Sequence, residues 1–141
     1  KPFSFNAQQL DHMTETLTKR KELLAELLPW DEPNYGIDER WIRFSPYASK
    51  TRPGRTVKAS LKAFNHSNTS RTVTLSINLP AGFEAEPKTA TLIIPLLTEE
   101  QANFEINVDT SVNPGTYIIT TDVQQGRWNL RQWTEAIIEV E

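Results

Sequence analysis

The stretch "RTVTLSINLPAGF", residues 71–83, decides the architecture. Val73, Leu75, Ile77 and Leu79 alternate with Thr72, Thr74, Ser76 and Asn78. Successive side chains of an extended chain point to opposite faces, so this spacing gathers the apolar groups on one side of a strand. A helix would scatter them around its circumference. "PAGF" then carries the proline and glycine of a turn.

The same period runs outward in both directions. Upstream, Val57, Ala59, Leu61 and Ala63 alternate with Lys58, Ser60 and Lys62, and "NHSNTS" at 65–70 is a polar connection to the next strand. "RPG" at 52–54 is a turn, and Trp41–Tyr47 reads as a first extended segment whose Pro46 marks an edge. Downstream, Thr91–Ile94 is a short strand, and Ala102, Phe104, Ile106 and Val108 alternate cleanly. "NPG" at 113–115 turns into an extended Gly115–Val123 with Tyr117, Ile119 and Thr121 on one face. "QQG" at 124–126 closes a hairpin onto a last strand from Trp133 to Val140. Short strands separated by regular turns predict a mainly β protein: an immunoglobulin-like or fibronectin-like antiparallel β-sandwich of about seven strands.

The period differs at the front. Leu10, Met13, Leu17, Leu24, Leu27 and Leu28 recur at spacings of three, four and seven, while Lys19, Arg20, Lys21, Glu22 and Glu26 occupy the other faces. This predicts one long amphipathic helix, with Ser4 or Asn6 as its N-cap and Pro29 as its stop. Residues 29–39, "PWDEPNYGIDE", form a proline-bearing linker too aromatic to be a mere tether. The expected division is a helix over 1–28, a linker and first edge segment over 29–49, and the sandwich over 50–141.

A chain of 141 residues with a net charge of −3 holds one core and offers no positive field for nucleic acid or an anionic membrane. No apolar run is long enough to span a bilayer. Cysteine is absent, which excludes disulfides and thiolate chemistry but leaves the compartment open. His12 and His66 have no neighbours at metal-ligand spacing, and the glycines are isolated, so neither a metal site nor a phosphate loop is expected. Adjacent carboxylates such as Asp31-Glu32 and Glu99-Glu100 diverge on an extended chain and make poor acid–base pairs. The expectation is therefore no catalytic, cofactor or metal residue in this chain. Asn65-His66-Ser67 and Asn68-Thr69-Ser70 match the N-glycosylation pattern, which is short enough to arise by chance.

Aromatic residues crowd the entry to the sandwich (Trp30, Tyr35, Trp41, Phe44, Tyr47) and its last hairpin (Trp128, Trp133). They admit two readings, a seam between domains and a platform for stacking sugars, with Trp128 the candidate for the latter. The seam reading is preferred, with Leu10, Met13, Leu17, Leu24, Trp30, Tyr35, Trp41 and Tyr47 as the expected interface to a partner.

The motifs "VKASLKAFNHS", "VTLSINLPAGFEAEP", "ANFEINVDTSVNPGTYIITTDV" and "GRWNLRQWTEAIIEV" resemble the bacterial immunoglobulin-like accessory domains of the NEW3-like group, often appended to hydrolases. The front portion, "KPFSFNAQQLDHMTETLTKRKELLAELLP" with "PWDEPNYGIDERWIRFSPY", is similar to the last helix and junction of metallo-β-lactamase-fold hydrolases. That second resemblance implies a parent with an upstream, zinc-dependent catalytic domain whose metal ligands precede Lys1. It makes this chain a structural or oligomerising accessory module, a homo-oligomer when isolated, in a bacterial and more readily cytoplasmic setting. The alternative is a carbohydrate- or cell-surface-binding sandwich.

Overall fold

The computed structural model describes residues 6–27 and 41–141. The expectations resting on Trp30 and Tyr35 lie outside the described residues. The chain divides into two units, one ending at Asp38 and one running from Glu39 to Glu141.

The first unit holds α1, Ala7–Leu27. Of the two candidate caps, Asn6 is seen to act: its Oδ1 accepts from the Gln9 amide at 2.8 Å, and Gln9 Oε1 accepts from the Asn6 amide at 2.9 Å. This reciprocal pair satisfies two amides that the first turn leaves without helical partners. Thr14, Thr16 and Thr18 return their hydroxyls to carbonyls four residues back, and Lys19 pairs with Glu15 at 2.7 Å.

The second unit is a sandwich of two sheets. Its strands are β1 (Ile42–Ser45), β2 (Ala48–Thr51), β3 (Thr56–Phe64), β4 (Arg71–Asn78), β5 (Phe83–Glu86), β6 (Thr89–Ile94), β7 (Glu99–Val108), β8 (Gly115–Gln125) and β9 (Trp128–Val140). One sheet has the order β1-β3-β7-β5, and the other β2-β9-β8-β4-β6. Nine strands replace the expected seven or so. β2 and β5 are short, and their partners lie far away in sequence, so no local pattern announces them. The sheets also take in residues 42–49, which hold the first edge segment expected ahead of position 50. All pairings are antiparallel except that of β2 with β9, Ala48↔Ile137 to Thr51↔Val140, which is parallel.

Alternation fills the space between the sheets as the sequence demands. Leu61, Phe104 and Ile106 of one sheet meet Val73, Leu75, Ile119, Val123 and Ile138 of the other, all essentially inaccessible to water. Each such side chain contributes on the order of 2 kcal/mol by burial. After β4 the chain crosses between sheets at Pro80–Gly82. Gly82 has φ +86°, and a Cβ there would lie 2.6 Å from Cγ2 of Val112, so both backbone and space require glycine. Tyr117 packs on Phe83 and donates its hydroxyl to the Asn113 carbonyl at 2.7 Å, pinning the entry to β8.

The inward phase of β3 does not stop at Ala63. It continues to Asn65, which is 2% exposed. Its Nδ2 donates to the carbonyls of Thr69 (2.7 Å), Ile94 (2.9 Å) and Pro95 (3.1 Å). Its Oδ1 accepts from the amide and hydroxyl of Ser67, and its own amide donates to the Thr98 carbonyl. One side chain thus closes the β3–β4 connection on itself and ties it to the turn leaving β6. Within that turn Leu97 is held at φ +53°, a costly conformation for a branched side chain.

Replacing Asn65 by Ala removes five side-chain hydrogen bonds and strips the Ser67 amide of its acceptor, while the Thr69, Ile94 and Pro95 carbonyls keep the hydroxyls of Ser67, Ser70 and Thr98. We expect Asn65→Ala to lower the unfolding free energy by about 3 kcal/mol in urea titrations. Asn68→Ala, at an exposed position in the same connection, should stay within about 0.5 kcal/mol of the parent. Equal effects of the two would contradict the clamp.

Candidate functional site

Leu10, Met13 and Leu17 are exposed on α1, whereas Leu24 is buried. Trp41, expected at a seam, is buried in the sandwich unit, its ring edge-on to Trp133 at 5.2 Å. Tyr47, 52% exposed, sits between β1 and β2, where its carbonyl accepts from the Ile137 amide. Trp128 opens β9 opposite Gln125. The structure therefore does not gather Trp41, Tyr47 and Trp128 into one platform.

The chemistry worth following lies at the β8–β9 hairpin. Gly126, at φ +57°, heads a two-residue turn of the kind that matches strand twist. Arg127 then lays its guanidinium 4.6 Å from the centre of the Trp128 ring. The Trp128 indole nitrogen is buried and has no hydrogen-bond partner among the described residues. Gln124 and Asn129, both exposed, pair across the hairpin beside this stack.

Farther down the hairpin the register shifts. Thr121 pairs with Thr134 but Val123 pairs with Leu130, so Arg131–Trp133 bulge opposite Asp122. Gln132 takes φ +50° in this bulge. The Asp122 carboxylate holds it there, accepting from the Gln132 amide at 2.8 Å, from Asn78 Nδ2 at 2.7 Å and from Arg131 Nε at 2.8 Å. Burial alone would raise the Asp122 carboxyl. The Gln132 amide, the Asn78 amide and the Arg131 guanidinium outweigh it and hold the group below the ordinary carboxylate range. No feature of "NLRQW" announces this bulge.

At the opposite end of the sandwich, a cleft of about 420 Å³ lies between the turns at Gly54 and Gly82 and the end of β7. Its Asp109 is also held low, by the hydroxyl and then the amide of Ser111. Both perturbed carboxylates are thus stabilised as anions. An acid catalyst working near neutrality needs the opposite shift. Among the described residues no group of three His, Cys, Asp or Glu side chains is placed to hold a metal ion. His12 is exposed on α1, and His66 tilts against Phe64 at 4.4 Å.

Four- and five-stranded sheets closed on a shared apolar core define an immunoglobulin-like β-sandwich module. The chain belongs to the family of the NPCBM-associated, NEW3 domain of alpha-galactosidase, whose model matches residues 51–125. No curated protein matches it. Among solved structures it is similar to an MSP family member of Caenorhabditis elegans, with 8% identity over 72% of this chain and 97% of that one, at a TM-score of 0.49. It is also similar to a family 123 glycoside hydrolase from Clostridium perfringens, with 12% identity, 67% of this chain, 22% of that one and a TM-score of 0.47. The Escherichia coli chaperone DraB shares 10% identity over 70% of this chain and 52% of its own, at a TM-score of 0.42.

The ion pair and hydrogen bonds at Asp122 make stability depend on pH with a defined sign. A depressed carboxyl contributes fully above the ordinary carboxylate value, near 3.9, and loses that contribution as pH falls through its folded value. Asp122→Asn should therefore be less stable than the parent at pH 7 by on the order of 1 kcal/mol. The gap should close as both are titrated below pH 4. A gap constant with pH would show that the anion is not what holds the bulge.

Proposed function

We propose that this chain is a non-catalytic, carbohydrate-associated accessory module acting beside the catalytic domain of a glycoside hydrolase. The observation that carries the reading is the family match over more than half of the chain, to a domain described from alpha-galactosidase. Asp109 and Asp122 spend their hydrogen-bonding capacity on a turn and a bulge. The β8–β9 hairpin is the part best suited to meet a glycan. Sugar rings present C–H faces that pack on an indole and hydroxyls that pair with amides and guanidinium groups. Trp128, Arg127, Gln124 and Asn129 supply both kinds of contact.

The resemblance of the front portion to metallo-β-lactamase-fold hydrolases names a different, zinc-dependent parent. The matched family favours a glycosidase instead, and we adopt that. An upstream catalytic domain in the same polypeptide remains part of the proposal, with exposed Leu10, Met13 and Leu17 available to it.

Native electrophoresis through a gel containing a galactomannan tests the reading directly. The chain should migrate more slowly than in a gel without polysaccharide, and Trp128→Ala, verified as folded by circular dichroism, should lose the retardation. The chain alone should leave p-nitrophenyl α-galactoside unhydrolysed. Unchanged migration would remove the glycan contact, and turnover by the chain itself would overturn the non-catalytic role.

A further inference from the structure

The two sheets end in four edge strands: β1 and β5 on one, β2 and β6 on the other. An edge strand offers unpaired amides and carbonyls to any other strand, and proteins ordinarily blunt such edges with charge, proline or brevity. Three of these edges follow that practice. β1 is four residues long and carries Arg43, β2 is four residues long and carries Lys50, and β5 is four residues long with Glu84 and Glu86. β6, "TATLII", is longer, with six residues and no charge at all. Its outermost apolar side chain, Ile93, is 70% exposed. Among the described residues nothing pairs with its outer side.

We propose that β6 is the pairing edge for a second copy of this chain, joining two five-stranded sheets across a two-fold axis at Thr91. This does not rest on the carbohydrate reading. The Ile77 amide donates to the Lys88 carbonyl, and the register continues through Leu75↔Ala90 and Val73↔Leu92. Bonded and non-bonded pairs alternate along an antiparallel ladder. Ala90, Leu92 and Ile94 therefore turn their backbone groups to β4, while Thr89, Thr91 and Ile93 turn theirs outward.

A second β6 laid antiparallel with Thr91 opposite Thr91 brings Thr89 opposite Ile93 on either side, each pair exchanging both backbone bonds. A shift of one residue would put core-facing side chains opposite outward ones. A shift of two residues either way sets Pro95 opposite Thr89 or Pro87 opposite Ile93, and each such pair keeps only one of its two bonds because proline has no amide. In the Thr91 register the two prolines oppose each other beyond the ends of β6, so every bonded pair within the strand is complete. In that register Ala90 meets Leu92 on the core-facing side, small against large, and no like charges oppose each other. A two-fold contact needs this self-complementarity.

The chain has no cysteine, so single cysteines report the register cleanly. Across the proposed axis the two Thr91 Cα atoms stand about 5.5 Å apart, within disulfide reach. The two Thr89 Cα atoms stand roughly 14 Å apart, out of reach. On mild oxidation Thr91→Cys should form a covalent dimer and Thr89→Cys should not, while Thr89→Cys mixed with Ile93→Cys should cross-link. In sedimentation equilibrium the unmodified chain should dimerise at high micromolar concentration. Ile93→Lys, at an exposed position that leaves the core untouched, should weaken the dimer at least about tenfold. Leu17→Glu on α1 should leave it intact. A parent that stays monomeric at about 0.5 mM would overturn the proposal. So would equal cross-linking of Thr91→Cys and Thr89→Cys, or a dimer lost with Leu17→Glu but kept with Ile93→Lys.

Discussion

The Asn65 side chain is the constraint on which this sandwich turns. It stands where the inward face of β3 runs out of apolar residues and the chain must leave one sheet for the other. Carbonyls from the β3–β4 connection and from the exit of β6 converge on the buried Asn65 side chain, that of Ile94 buried and those of Thr69 and Pro95 partly so. The hydroxyls of Ser67, Ser70 and Thr98 reach the same three carbonyls, so Asn65 is the centre of a polar cluster. A single side-chain amide bonds all three carbonyls and accepts from the Ser67 amide. The strained turn at Leu97 follows from this arrangement, since the Asn65 amide fixes Thr98 and its side chain fixes Ile94 and Pro95.

With that end closed, the rest is a matter of two apolar faces meeting. The Val73–Leu75 face and the Phe104–Ile106 face bury each other regardless of what lies outside the sandwich. The outward faces are then free to carry polar chemistry. The β8–β9 hairpin uses this freedom most, through the Arg127–Trp128 stack and the bulge that Asp122 secures.

Much of this was legible in the alternation. Val73 to Leu79, Ala59 to Ala63 and Ala102 to Val108 each read as a strand from side-chain phase alone, and the spacing from Leu10 to Leu24 read as a helix. Asn65 was legible too, had phase been trusted over polarity, for it falls two residues beyond Ala63 on the inward side. Residues 65–70 are polar, and composition alone marks them as a connection between strands. β2 and β5 were not legible, because four-residue edges such as "ASKT" owe their strand geometry to distant partners. The bulge at Arg131–Trp133 was hidden for a similar reason: it depends on Asp122 in the neighbouring strand. Trp41 and Trp133, far apart in sequence, find each other only once β1 and β9 have paired elsewhere. Pairing across sequence distance, rather than composition, is what a local reading lacks.

Hydrogen exchange resolved by residue tests the central role of the Asn65 side chain most directly. The Asn65 and Ser67 amides lie in a connection of little regular structure, where protection is ordinarily slight. Because each donates into the buried cluster, both should exchange as slowly as the amides of Leu61, Leu75 and Ile119, only through global unfolding. Exchange at these two amides orders of magnitude faster than in the strands, with the core still protected, would contradict the account.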